Sequence, residues 1–367
     1  MKARTKQTSA SACKPTRQRI IFCERAASPD LPRAMANRPR PKEAKTASNA
    51  SARGIRKKLF MALHIALKGD MQTAYLAAPG FEEDLATEIG PVTARYGRLL
   101  VTDGPAKPAA WAQNIWHDVQ STPIGSIKKA AAHLRAIQRN WAYYGWQPGG
   151  RAKLIEAELP HVGAKPLVFP TPAPTAKLGS WTLKDKDTLL YSAHCSSAFK
   201  NGEVNFVEDK KTPPNRAYLK LWEYFTVAGV YPKPGELCLD LGACPGGWSW
   251  VLQTLGANVI SVDKAPLAPH IAKLPNITYV AGSAFALDPK THPPVDWLFS
   301  DIACYPERLL TLVKRWLDAD KARNFVCTIK LQGDTDHAAV QAFAAIPGSH
   351  VQHLWCNKHE LTWSLLR

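Results

Sequence analysis

The chain has 367 residues, 46% of them apolar, enough for two domains with cores of their own. No run approaches the roughly eighteen apolar residues of a membrane-spanning helix, and none of the eight cysteines (Cys13, Cys23, Cys195, Cys238, Cys244, Cys304, Cys327, Cys356) falls in a C-x-x-C pair, which argues against a metal ribbon or a disulfide framework. The formal charge of +17 is concentrated: positions 1–70 hold 17 Lys and Arg against four acids, while the other 297 residues hold 30 against 26. An intracellular, cytoplasmic protein with no metal and no membrane partner is expected.

In chain order, the Ser/Ala/Arg/Pro-rich stretch 1–70 is expected to be disordered. It reads as an RNA-gripping arm, as a transit peptide, or as translated sequence upstream of a start at Met71. From Met71 an α+β domain is expected to run to about 160, with Phe81, Leu85 and Ile89 as a helical stripe. Ile124, Ile127, Ala131, Leu134, Ile137 and Trp141 recur at three- and four-residue steps, which predicts one amphipathic helix. Lys128, Lys129, Arg135 and Arg139 are interleaved with it and Trp141, Tyr143, Tyr144 and Trp146 follow. That combination suits RNA contact by phosphate pairing and base stacking, or equally a solvated helix face beside a Trp-rich core. Prolines at 160, 166, 170, 172 and 174 mark a connector over 161–187, and TLLYSAHCSS is a strand leading into a second domain, 188–367.

In that domain NRAYLKLWEYF reads as a helix with Leu219, Trp222 and Phe225 or Thr226 facing inward. The apolar run Leu237 to Leu239 then leads into DLGACPGGW, residues 240–248, a turn from strand to helix. Gly242, Gly246 and Gly247 predict close approach of the backbone to a nucleotide-like ligand. The spacing is neither the dinucleotide G-x-G-x-x-G nor a triphosphate loop, which weakens hydride transfer and ATP hydrolysis. Asp240 ends the strand, and Asp263 ends the next one, VISVD, where a doubly wound sheet places an acid to grip a ribose diol. An adenosine ligand fits, with S-adenosylmethionine the leading choice. Asp301 closes VDWLFSD, Lys330 closes NFVCTIK, Glu360 lies in KHELTWSLL, and Lys220 sits on the first helix.

The strings NRAYLKLWE, DLGACPGGW, SD after an apolar strand, IK, and HE near the end together resemble the FtsJ-type ribose 2'-O-methyltransferases, over roughly residues 188–367. The resemblance implies a Rossmann-like α/β domain, S-adenosyl-L-methionine as cofactor and RNA as partner, most closely a cytidine of 23S ribosomal RNA. It implies a Lys-Asp-Lys-Glu catalytic set at Lys220, Asp301, Lys330 and Glu360. Cofactor contacts are implied at Asp240, Gly242, Cys244, Pro245, Gly246, Gly247, Trp248, Asp263, Ser283 and Asp301. Ser283 is a departure, since the family often has an acid there reaching the adenine; Asp288 follows five residues on. The branch of the family that methylates this cytidine also carries a longer N-terminal region with an RNA-binding module.

A ribose hydroxyl needs its proton removed before it attacks, which a neutral amine can do. A free lysine is neutral only about four times in ten thousand at pH 7, whereas a pKa of about 8 would raise that to roughly one in ten. A neighbouring lysine and burial push that way, and carboxylates push back. The expectation is Lys330 as base, Asp301 and Glu360 orienting it, and Lys220 stabilising the developing alkoxide. Amine methylation is disfavoured because DIACYP replaces an Asn/Asp-Pro-Pro-aromatic run, and Cys304 reads as a packed side chain rather than a nucleophile. The alternative from another class is a catalytically silent RNA-binding or ribosome-assembly scaffold.

Overall fold

A computed structural model of the chain describes residues 71–147 and 149–367. The basic extension expected over 1–70, with its three readings, lies outside the described residues. Among the described residues no helix is long and apolar enough to cross a membrane, and no group of three or more His, Cys, Asp or Glu side chains is placed to hold a metal.

The N-terminal part builds two small sheets. Strand β1 (Gln72–Ala77) is followed by α1 (Glu82–Ile89), whose first turn carries Glu82, Glu83 and Asp84 against the positive end of the helix dipole and which buries Leu85 and Ile89. Strands β2 (Ala94–Tyr96), β3 (Leu99–Asp103) and β4 (Ala112–His117) join it, and β5 (Gln120–Pro123) opens the second sheet. The long amphipathic helix is shorter than its apolar stripe: α2 spans Ile127–Ile137. Ser126 caps it by accepting from the Lys129 amide, and Gln138 is already extended. Ile124 therefore precedes the cap, and Trp141 lies on β6 (Trp141–Tyr143), followed by α3 (Gly150–Ala157).

The aromatics that suited base stacking are core or seam residues. Trp141 and Tyr144 are buried, Trp141 donates its indole N–H to the Leu134 carbonyl at 2.9 Å, and Trp146 donates to Leu183 at 2.8 Å. The reason is sheet formation: β7 (Gly179–Asp185) arises inside the expected connector and pairs with β6 and with β8 (Thr188–Ser192). The second sheet thus runs β5-β8-β7-β6, and β9 (His194–Cys195) completes the first as β2-β3-β1-β4-β9. The segment from 188 to 195 closes these sheets before the chain enters the larger one.

That larger domain begins with α4 (Tyr218–Ala228), which buries residues around most of its circumference and ends at Gly229 in the left-handed conformation, φ 67°. Its elements follow as β10 (Leu237–Leu241), α5 (Gly247–Thr254), β11 (Asn258–Asp263), α6 (Pro269–Ala272), β12 (Ile277–Ala281), β13 (Val295–Ser300), α7 (Pro306–Asp318), β14 (Ala322–Lys330), α8 (His337–Ala344), β15 (Ser349–Gln352) and β16 (Glu360–Leu365). The sheet order is β12-β11-β10-β13-β14-β16-β15. From β12 to β14 the strands are parallel, and β16 is antiparallel to β14 and β15. Helix α7 shows why such helices pack on the sheet: Leu309, Leu312, Val313 and Trp316 recur at helical spacing and are all buried.

The order reverses between β10 and β13. In an open α/β sheet the crevice at the carboxyl ends of those strands is where ligands bind.

Candidate functional site

The glycine turn sits at this switch point, as expected, although each glycine is required by the protein's own packing. A Cβ on Gly242 (φ +78°) would lie 2.6 Å from Ile302 Cγ1, one on Gly246 (φ +110°) 2.7 Å from Ile271 Cγ2, and one on Gly247 2.3 Å from Asn215 Oδ1. The space on the Cβ side of these three points is filled by neighbouring side chains. We predict that Gly242→Ala destabilises the fold by about 2–4 kcal/mol, because it combines left-handed strain with a clash against the Ile302 side chain and a tight approach to its backbone. Urea unfolding measures it; a loss under about 0.5 kcal/mol would refute the packing argument.

The other expected cofactor residues divide between half-buried loop positions and the core. Asp263, at the end of β11, accepts the Cys244 amide on one carboxylate oxygen and the Ala265 amide on the other, both at 3.0 Å. It therefore ties the turn to its own loop, and each oxygen keeps a second acceptor site. Cys244 donates its thiol to the Pro266 carbonyl at 3.3 Å, and the Pro245 carbonyl accepts from Ala268. Trp248 is buried, donates to the Ala217 carbonyl at 2.9 Å and packs edge-on against Phe299, so it joins α5 to α4 rather than lining the cleft. Ser283 follows β12, and its hydroxyl makes no capping hydrogen bond.

Asp240 is buried beneath the turn, accepting from Ser249 Oγ at 2.6 Å, with Ser261 Oγ 2.8 Å beyond. Burial, outweighing the Ser249 hydrogen bond and reinforced by the charges of Asp301 and Asp263, pushes its carboxyl up to about 7. The folded state thus holds a proton that the unfolded chain has already released near pH 4. The stability contributed by this group is full below that pH and is lost as pH rises through about 7. Asp240→Asn should flatten this slope. If wild type and variant lose unfolding free energy in parallel between pH 5 and 8, the assignment fails.

The four polar residues singled out along the chain come together at the strand ends. Lys220 Nζ lies 3.1 Å from Asp301 and 2.7 Å from Glu360, and Lys330 Nζ lies 2.6 Å from Asp301 and 3.0 Å from Glu360. Each ammonium touches both carboxylates, in a closed square of alternating charge. The geometry follows from topology. Lys330 ends β14, Glu360 begins the antiparallel β16, and the two are register partners although 30 residues apart. Asp301 follows β13, the parallel neighbour of β14, and Lys220 reaches in from α4.

Within this square the opposing influences on Lys330 are unequal. Burial does favour the neutral amine of Lys330, yet the two carboxylates together outweigh it and hold the ammonium above the usual lysine range.

A fifth residue escaped the sequence reading. Glu223, one turn after Lys220, is buried and accepts the backbone amides of Trp355 and Cys356, the latter at 2.9 Å. Burial, opposed by these hydrogen bonds, pushes it up to about 7. Its carboxylate thereby fastens the β15–β16 loop, which leads into Glu360, to the helix that carries Lys220. The available signal was an acid placed between Trp222 and Tyr224 in a segment whose neighbours are all apolar or aromatic. Beside the square opens a cleft of about 660 Å³, lined among others by Lys220, Lys330, Glu360, Trp355, Arg216 and Lys358.

Fold and site together define a Rossmann-like α/β domain with a glycine turn at its switch point and a Lys-Asp-Lys-Glu cluster beside it. Residues 213–340 match the family described as FtsJ-like methyltransferase. Among curated proteins, the chain is 33% identical over 160 residues to the ribosomal RNA large subunit methyltransferase M of Halorhodospira halophila, covering 41% of this chain and 47% of that protein. It is 34% identical over 137 residues to the protein of the same name from Cellvibrio japonicus, covering 36% and 39%. The matched stretch thus spans less than half the length of these relatives. Among solved structures, the fibrillarin of Aeropyrum pernix aligns over 50% of this chain and 81% of its own, with 14% identity and a TM-score of 0.31.

Proposed function

We propose that this protein is an S-adenosylmethionine-dependent ribose 2'-O-methyltransferase acting on RNA in the cytoplasm, with large-subunit ribosomal RNA as the substrate and a 23S cytidine as the target. The observation that carries the reading is the closed Lys220–Asp301–Lys330–Glu360 square at the carboxyl ends of the strands. A silent scaffold would leave two lysines and two acids facing one another without use. The bacterial relatives, named as ribosomal RNA large subunit methyltransferases, support ribosomal RNA as the substrate class.

The residues present fit the cofactor. Asp240, Asp263 and Asp301 lie at the carboxyl ends of three adjacent strands; Asp240 keeps much of its proton at neutral pH and Asp301 is paired with two lysines, so Asp263 is the acid left to meet a cationic ligand. Asp263 retains acceptor sites for a ribose diol. S-adenosylmethionine, when bound, supplies a sulfonium methyl group as electrophile. In this reading Lys330, in its free-amine form, takes the proton of the ribose 2'-hydroxyl, Asp301 and Glu360 aim its nitrogen, and the Lys220 ammonium steadies the negative oxygen.

The test is ribose-methylation mapping of ribosomal RNA from cells lacking the gene, complemented with wild type or Lys330→Ala. Loss of a single 2'-O-methyl mark, restored by wild type alone, is expected. An unchanged map would remove ribosomal RNA as the substrate.

A further inference from the structure

Ten of the twelve tryptophans are buried, and Trp146, half-buried, spends its indole N–H on Leu183 and packs edge-on against Tyr96. Trp355 differs from all of them. It is half-buried, and among the described residues its indole has neither a ring partner nor a hydrogen bond. It lines the 660 Å³ cleft together with Lys220, Lys330 and Glu360.

Its backbone is held more firmly than a loop residue needs for its own sake. The single carboxylate of Glu223 accepts the amides of both Trp355 and Cys356, fixing this stretch of the loop. On the far side of the same loop, the His353 amide donates to Ala110 at 2.7 Å, and the His353 ring is 5.3 Å from Phe81 and 5.4 Å from Trp111. A large flat side chain is thus presented to open space by a backbone anchored on two sides, next to the groups assigned to the ribose hydroxyl. The exposed Lys358 and Arg216 put basic groups on the same cleft; the Arg216 side chain is 76% exposed and pairs at 2.7 Å with Glu208, which also lines it.

We infer that Trp355 is the stacking platform for the nucleobase of the nucleotide being methylated, with Arg216 and Lys358 meeting the flanking phosphates. The inference rests on the proposed ribose methylation. A base must leave its helical stack for its ribose to reach the square, and an unpaired base gains most from an aromatic face already in position. The cleft lies within the volume range, about 300–1,000 Å³, of sites that enclose a small ligand. Stacking on an indole is tolerant of base identity, so Trp355 contributes affinity and placement rather than a choice among bases.

The experiment measures methyl transfer from labelled S-adenosylmethionine to an unmodified 23S ribosomal RNA transcript, for wild type, Trp355→Ala, Trp355→Leu and Trp355→Phe. S-adenosylhomocysteine affinity is measured alongside. A stacking role predicts a loss of roughly 5- to 150-fold in kcat/KM for the Ala and Leu variants. The Phe variant should stay within about five-fold of wild type, since it keeps a π-face, and cofactor-product affinity should be unchanged in all four proteins. The inference is overturned if Trp355→Ala retains wild-type kcat/KM, if Leu serves as well as Phe, or if the loss follows S-adenosylhomocysteine affinity. Absence of ribose methylation by the wild-type protein itself would instead overturn the reading on which this inference stands.

Discussion

Lys330→Ala should lower methyl transfer by about 10²- to 10⁴-fold, the usual contribution of a positioned base, while cofactor affinity stays within a few fold. No other nitrogen can replace it without moving, because Lys220 is already shared between Asp301 and Glu360 at 3.1 and 2.7 Å. The same square makes the rate depend on pH. Lys330 is held above the ordinary lysine range by its two carboxylates, so the free-amine fraction at neutral pH is small and rises tenfold for each pH unit. The transfer rate of the wild type should climb across pH 7 to 9 with a slope near one. The ion pairing stabilises the fold fully below the unfolded lysine pKa and is lost only as pH rises through the still higher folded value, so the protein should remain folded over that range. Single-turnover kinetics in matched buffers measure both; turnover by the Ala variant, or a flat profile, would remove Lys330 from the base role.

Asp301→Asn should act on folding and on ionisation at once. Asp301 touches both ammonium groups, at 3.1 and 2.6 Å, and its replacement leaves two cations sharing Glu360 in a site where all four side chains are less than a quarter exposed. Breaking a buried ion pair from one side costs about 3 kcal/mol in such a setting. Transfer should fall by about 10²-fold, because the nitrogen of Lys330 loses one of the two contacts that aim it. Removing one carboxylate also lowers the pKa of Lys330, so the rising limb of the rate should move to lower pH even as its height drops. Glu360→Gln removes the other carboxylate and should shift the limb in the same direction. A limb that does not move in either variant would mean that a different group titrates in the rate.

Much of the site was legible in the sequence because its signals are local. A run of apolar residues that stops at a polar one marks a strand end, and Asp240, Asp263, Asp301 and Lys330 each sit at or beside the end of such a run. The doubly wound class followed from the same alternation, as did the helix carrying Lys220. The N-terminal part was less legible. The strand from Gly179 to Asp185 follows a Pro-rich stretch, and its partners β6 and β8 are settled by burial of Trp181 and Leu189 rather than by any turn signal.

What the sequence determined alone was therefore the set of residue types at the strand ends, since a strand and its terminal residue are adjacent in the chain. What only the tertiary structure decided were quantities that depend on distance between remote segments. The antiparallel register of β16 sets Glu360 opposite Lys330. The packing of Ile302, Ile271 and Asn215 dictates why three positions are glycine, and the fold of α4 against the 353–359 loop makes Glu223 a clamp. The protonation of Lys330 belongs to the same group: two carboxylates within about 3 Å outweigh burial, and their separation is a property of the folded sheet.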